Sequence, residues 1–151
     1  MKVSRFVMTA LFAMLLMVLG LAGPALAAGS YSGAGTSFQL TTYNSQRTGY
    51  LPSPPSTVPT TSTITALSYN IDWSSRSSSP GYMELQLCST GTGAKCVAAN
   101  RFNNTTTFFN GMPATTSFVI KAAWRNASPY VSGTLAGGPI TVTDSITVSY
   151  S

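Results

Sequence analysis

Alternation of apolar and polar residues organises the chain from residue 36 onward. It is clearest over 140–150, where Ile140, Val142, Ile146, Val148 and Tyr150 share one parity and Thr141, Thr143, Ser145, Thr147 and Ser149 the other. A period of two places these sets on opposite faces of a β-strand. Asp144 falls in the apolar register, which implies either a bulge that re-aims the strand or a buried carboxylate in need of partners. A second long strand is predicted over 62–73, with Thr63, Thr65, Leu67, Tyr69, Ile71 and Trp73 on its buried face. Shorter strands are predicted over 36–43 with Phe38 and Leu40 together, 82–88 with Met83, Leu85 and Leu87 together, 96–101, 105–109, and 116–122 with Phe118 and Ile120 inward.

The segments between these strands read as breaks. Residues 28–35 are small and imply a poorly ordered start. Residues 44–49 read as a turn. The stretch 51–61 carries Pro52, Pro54, Pro55 and Pro59, so it is an extended connection or an edge, because proline gives no ladder hydrogen bond. Ser- and Gly-rich 74–81 and Asn103-Asn104 are turns by composition, Asn110-Gly111 is the strongest hairpin signal, and Trp124-Arg125-Asn126 opens a loop that contains Pro129 and Pro139. About seven strands with no βαβ rhythm predict an all-β fold, an antiparallel two-sheet β-sandwich. It forms one domain over 28–151, of which 28–61 is a flexible start, first strand and proline-rich connection and 62–151 the main body.

Cys88 and Cys96 flank a turn of Ser, Thr and Gly, each beside a hydrophobic run. The simplest construction is a hairpin closed by a disulfide at its base. Redox pairs are normally two residues apart and beside a helix N-terminus, which this pair is not. Cys88 lies on the polar parity of its strand or at the strand end, a place for a staple and not for a core thiol.

The N-terminus sets the compartment. Lys2 and Arg5 precede an apolar run over 6–21, followed by Gly23, Pro24 and Ala25-Leu26-Ala27. This is the layout of a secretory signal peptide over 1–27, too short and wrongly flanked for a membrane anchor, so no stable membrane span is expected after cleavage. Removing 27 of the 151 residues leaves 124, enough for one domain with a real core. In that remainder Arg47, Arg76, Lys95, Arg101, Lys121 and Arg125 face Asp72, Glu84 and Asp144, a net charge of +3. The cations form no run or stripe, and the footprint of a nucleic-acid binder is missing.

The sequence contains no histidine, which removes His-based acid/base catalysis, the Ser-His-Asp arrangement and the usual zinc ligand sets. Asp72 and Asp144 lie near strand ends as a carboxylate pair, but a turn or bulge role accounts for each more simply than glycosidase chemistry. No catalytic residue, metal ligand or cofactor site is therefore assigned, and the chain is expected not to be an enzyme. Exposed Trp and Tyr stack on sugars and anchor protein interfaces, so Trp124, Arg125 and Tyr130 form the candidate interaction surface, with plain loop packing as the competing explanation. Asn103, Asn104 and Asn126 begin N-x-Ser/Thr sequons and read as turn residues.

The order of ALSYNIDW, GYMELQLCS, KCV, TTTFF-NG-MPA, SFVIKA and a terminal ITVSY over 62–150 resembles the flagellar FlhE family of small periplasmic proteins. The turn between the cysteines, the proline-rich 51–59 and the SSRSSSPG turn depart from the family pattern in the outer loops. The resemblance implies a non-enzymatic periplasmic accessory of the flagellum whose partner is a protein of the type III export apparatus or basal body. There it would be chaperone-like or act as a seal that limits proton leakage. Two other classes compete. One is a secreted carbohydrate-binding sandwich using Trp124, Tyr130 and nearby Asn side chains. The other is a fimbrial subunit, suggested by Tyr150 and an alternating C-terminal strand of the kind that pairs at a sheet edge.

Overall fold

The computed structural model describes residues 28–74, 80–126, 128 and 133–151. Residues 1–27, expected to be a signal peptide, the centre of the predicted 74–81 turn and Tyr130 lie outside the described residues. Within them run nine strands: β1 (Gly29–Ala34), β2 (Phe38–Leu40), β3 (Arg47–Tyr50), β4 (Ile64–Trp73), β5 (Tyr82–Ser89), β6 (Cys96–Ala98), β7 (Phe102–Thr106), β8 (Phe118–Arg125) and β9 (Ile140–Tyr150). One antiparallel sheet has the order β1-β9-β4-β7, with β2 also on β9, and the other has the order β3-β8-β5-β6.

Period-two alternation buries one face of each sheet against the other. Leu67, Tyr69 and Ile71 of β4 with Val142, Ile146 and Val148 of β9 meet Leu85 and Leu87 of β5 and Phe118, Ile120 and Ala122 of β8 in one hydrophobic cluster. The fold is the expected all-β sandwich with one disulfide-closed hairpin. The proline-rich stretch carries the chain from β3 in one sheet to β4 in the other, outside both ladders.

Several local expectations change. Residues 29–34 are an ordered strand paired with β9 from Gly29↔Tyr150 to Ala34↔Ser145. Glycine there allows close approach: a Cβ on Gly33 would lie 2.7 Å from the Pro52 ring, and one on Gly29 would lie 2.7 Å from the hydroxyl end of the Tyr150 side chain, which would have to move aside. Part of the predicted 44–49 turn is β3, paired with β8. In β4 the register shifts between Ile64 and Ala66. This bulge inverts the parity of the strand start, so Ser62 and Ile64 are buried while Thr63 and Thr65 are exposed.

Asn103 and Asn104 are strand residues of β7, not a turn, and pair with Asn70 and Tyr69 of β4. Asn110-Gly111 does turn the chain, but β7 and β8 on either side of it belong to different sheets, so the turn is a crossover and not a hairpin. Phe109, fully buried, anchors it through an edge-to-face contact with Phe118 at 5.0 Å. β9 lies between β1 and β4, so the C-terminal strand is not a sheet edge.

Candidate functional site

The two cysteines are bonded directly across the β5–β6 pair, with Cα atoms 4.1 Å apart. Cys88 is buried despite its polar parity, and Cys96 is exposed on β6, the edge of its sheet. Ser89 clamps the hairpin beyond the bridge: its N–H donates to the Lys95 carbonyl at 2.9 Å, and its Oγ accepts from the Lys95 N–H at 2.9 Å. No free cysteine remains among the described residues.

Trp124 and Arg125 end β8 and are not in a loop. As neighbours on a strand they point to opposite faces. Trp124 continues the inward parity of Phe118, Ile120 and Ala122, packs against the core, and keeps its indole N–H buried without a hydrogen-bond partner. Arg125 faces outward, paired with Glu84 and donating from Nη1 to the Asn44 carbonyl at 2.9 Å. The structure therefore does not bring the two side chains onto one platform, and Tyr130 lies outside the described residues.

The outer face of the β7-β4-β9 sheet carries features that composition did not single out. Two rungs of polar side chains cross three strands, Thr105–Ser68–Thr147 and Asn103–Asn70–Ser145, set by the pairing of β4 with β7 and β9. They line an open trough of about 450 Å³, with Ser68 Oγ and Thr105 Oγ1 3.0 Å apart. The lining offers hydroxyls and amides without a formal charge, a surface for neutral hydrogen-bonding groups. The Ser/Thr alternation of 141–149 was its one legible sign.

Beside the trough, Arg101 is fixed at the β4–β7 edge. Its Nε donates to Asp72 Oδ1 at 2.8 Å, its Nη2 donates to the Trp73 carbonyl at 2.9 Å, and its guanidinium stacks 4.4 Å from the Trp73 ring centre and 4.7 Å from that of Phe102. The Arg101 side chain and the Trp73 N–H hold the Asp72 carboxyl below its usual range. Phe102 is 57% exposed and holds φ at 67°, a conformation rare for a residue with an aromatic side chain.

Asp144 is the polar residue inside the sandwich. The β4–β9 register runs through Ile71↔Asp144 without a shift, so the buried-carboxylate alternative holds and the bulge does not. It is 6% exposed, and neither carboxylate oxygen has a hydrogen-bond partner. Burial pushes its pKa from 3.8 up to about 6, opposed only in part by the nearby Gly35 N–H, whose hydrogen bond goes to the Asp144 backbone carbonyl and not to the carboxylate. No group of three or more His, Cys, Asp and Glu that could hold a metal occurs among the described residues.

No protein-family model matches the chain, and no curated protein matches it. Among solved structures the chain is similar to the crystal structure of FlhE, at 17% identity and a TM-score of 0.65, over 82% of this chain and 97% of that one. At this identity the likeness is one of fold, and it covers nearly the whole FlhE chain: the protein has the FlhE fold.

Proposed function

We propose that this chain is an exported, non-enzymatic accessory protein of the flagellum, a chaperone-like or proton-sealing partner of the type III export apparatus in the periplasm. The observation that carries this reading is the fold match, which covers 82% of this chain and 97% of the FlhE chain. The surface chemistry supports it. A docking protein gains from a stapled, rigid frame and from faces whose polar groups need not lose charge on contact, as on the β7-β4-β9 sheet. The test is a clean deletion, followed by swimming and flagellar-assembly assays, complemented by forms with and without residues 1–27. Loss of motility rescued only by the form retaining residues 1–27 is expected. Normal swimming and assembly in the deletion strain would remove the reading.

A second reading is favoured by the trough alone: a neutral glycan on its hydroxyl and amide rungs, in place of the aromatic platform at Trp124 and Tyr130. Chemical-shift changes at Ser68, Asn70, Asn103 and Ser145 on titration with oligosaccharides would establish it, and their absence would dismiss it.

A further inference from the structure

Asp144 sits where the edge of its sheet is interrupted. β1 and β2 lie on the same side of β9, and the chain breaks between them at 35–37, opposite Asp144. Two backbone hydrogen bonds hold the break: Gly35 N–H to the Asp144 carbonyl at 3.0 Å, and Thr36 N–H to the Tyr50 carbonyl of β3, in the other sheet, at 3.2 Å. Two glycines form the lid over the carboxylate. A Cβ on Gly35 would come within 1.8 Å of Asp144 Oδ1, and one on Gly49 within 3.1 Å of Oδ2. The carboxylate reaches water only if one of these backbones moves.

Nothing nearby neutralises it. On β1, Tyr31 directs its hydroxyl to the Ala114 carbonyl, and β2 carries no titratable group. On β3, Tyr50 is exposed, and Arg47 shares the parity of Gly49 but is exposed and takes part in neither of the two ion pairs among the described residues. On β4, Tyr69 accepts from the Asn100 N–H, and Asp72 is held by Arg101. On β8, Lys121 and Arg125 have the outward parity, and on β9 Tyr150 lies at the far end, against Tyr31. An ionised Asp144 is thus desolvated and unpaired, a state relieved by opening whichever cover is cheapest to move. β1 and β2 each pair with one strand and are joined through Gly35 at the break, whereas β4, on the other side of β9, is paired with two strands.

We propose that Asp144 is a pH-sensitive latch on the β1–β2 edge: protonated, it keeps residues 29–40 closed over the end of the sandwich, and ionised, it releases them from β9. Opening hydrates the carboxylate and lets it lose its proton at the ordinary Asp value, so the free energy of opening falls as pH rises through the range in which the buried group titrates.

The test is amide hydrogen exchange of the purified protein at pH 5 and pH 7.5, corrected for base catalysis. Between these values the protection of β1, β2 and the β9 amides bonded to them is expected to fall about tenfold through a local opening nearly independent of added urea, whereas β5 and β8 exchange only through global unfolding, with its full urea dependence. Asp144→Asn removes the pH dependence, and Arg47→Gln leaves it intact. A urea dependence in β1 and β2 as steep as that of β5 and β8, no change with pH, an unaltered response in Asp144→Asn, or loss of the response in Arg47→Gln each overturns the latch. Carbon-detected titration of the Asp144 carboxyl in the wild type decides the matter even if the variant does not fold, since a midpoint at the ordinary Asp value also overturns it.

Discussion

Opening the Cys88–Cys96 bridge perturbs one edge of the sandwich by an amount that follows from loop size. The bridge spans a sequence separation of 8. Removing a cross-link over so short a loop returns about 2.5 kcal/mol of conformational entropy to the unfolded chain. Reduction should therefore lower Tm by about 10 °C for a domain of this size, leaving the protein folded at room temperature. Replacing both cysteines by alanine should cost about 1 kcal/mol more, because the Cys88 sulfur is buried and its removal leaves a small cavity. The effect should also be local. β6 is a three-residue edge strand held by bonds such as Ala99 N–H to the Leu85 carbonyl, so its amides should exchange faster while those of the β5–β8 ladder stay protected. Thermal melts and amide exchange with and without reductant measure both parts. A shift of Tm below about 2 °C, or unfolding of the whole domain at 25 °C on reduction, would refute the loop-entropy account of the staple.

Other perturbations have equally definite outcomes. Asp144 has a folded pKa above its unfolded one, so the stability linked to it is full below about pH 3.8 and is lost as pH rises through about 6. Urea midpoints should thus show about 1.4 kcal/mol more stability at pH 5 than at pH 7.5 from this group, absent in Asp144→Asn. Asp72 has the opposite sign, since its depressed pKa adds stability that is lost as pH falls below the ordinary carboxylate range. Phe109→Ala should cost about 3–5 kcal/mol by chemical denaturation, because the ring is fully buried between the sheets; a loss below about 1 kcal/mol would contradict its placement. Arg101→Ala should change Trp73 fluorescence by removing the stacked guanidinium with little change in Tm, and an unchanged spectrum would contradict the stacking.

The sandwich was legible wherever a strand had apolar side chains on its inner face. β9, β5 and the body of β4 follow their alternation. β1 and β3 escaped because Gly29, Gly33 and Gly49 occupy inner positions where a neighbour presses too close for a Cβ. That pressure comes from Tyr150, Pro52 and Phe38, distant in sequence, and no local pattern records it. Trp124 was legible in principle, since it continues the parity of Phe118, Ile120 and Ala122, but the following Arg125-Asn126 looked like a loop. Asp144 stood out at once as a break in period. Which of its two explanations holds depends on Gly35 and Gly49 meeting over it, a property of the fold. The Arg101 clamp was invisible for a similar reason, as Asp72, Trp73 and Phe102 are brought together only by the β4–β7 register.

The flagellar account is tested most directly by cytoplasmic pH in cells assembling flagella. A deletion strain should acidify relative to the wild type in medium of low pH and recover only with the form carrying residues 1–27. Unchanged cytoplasmic pH together with normal swimming in the deletion strain would contradict the account.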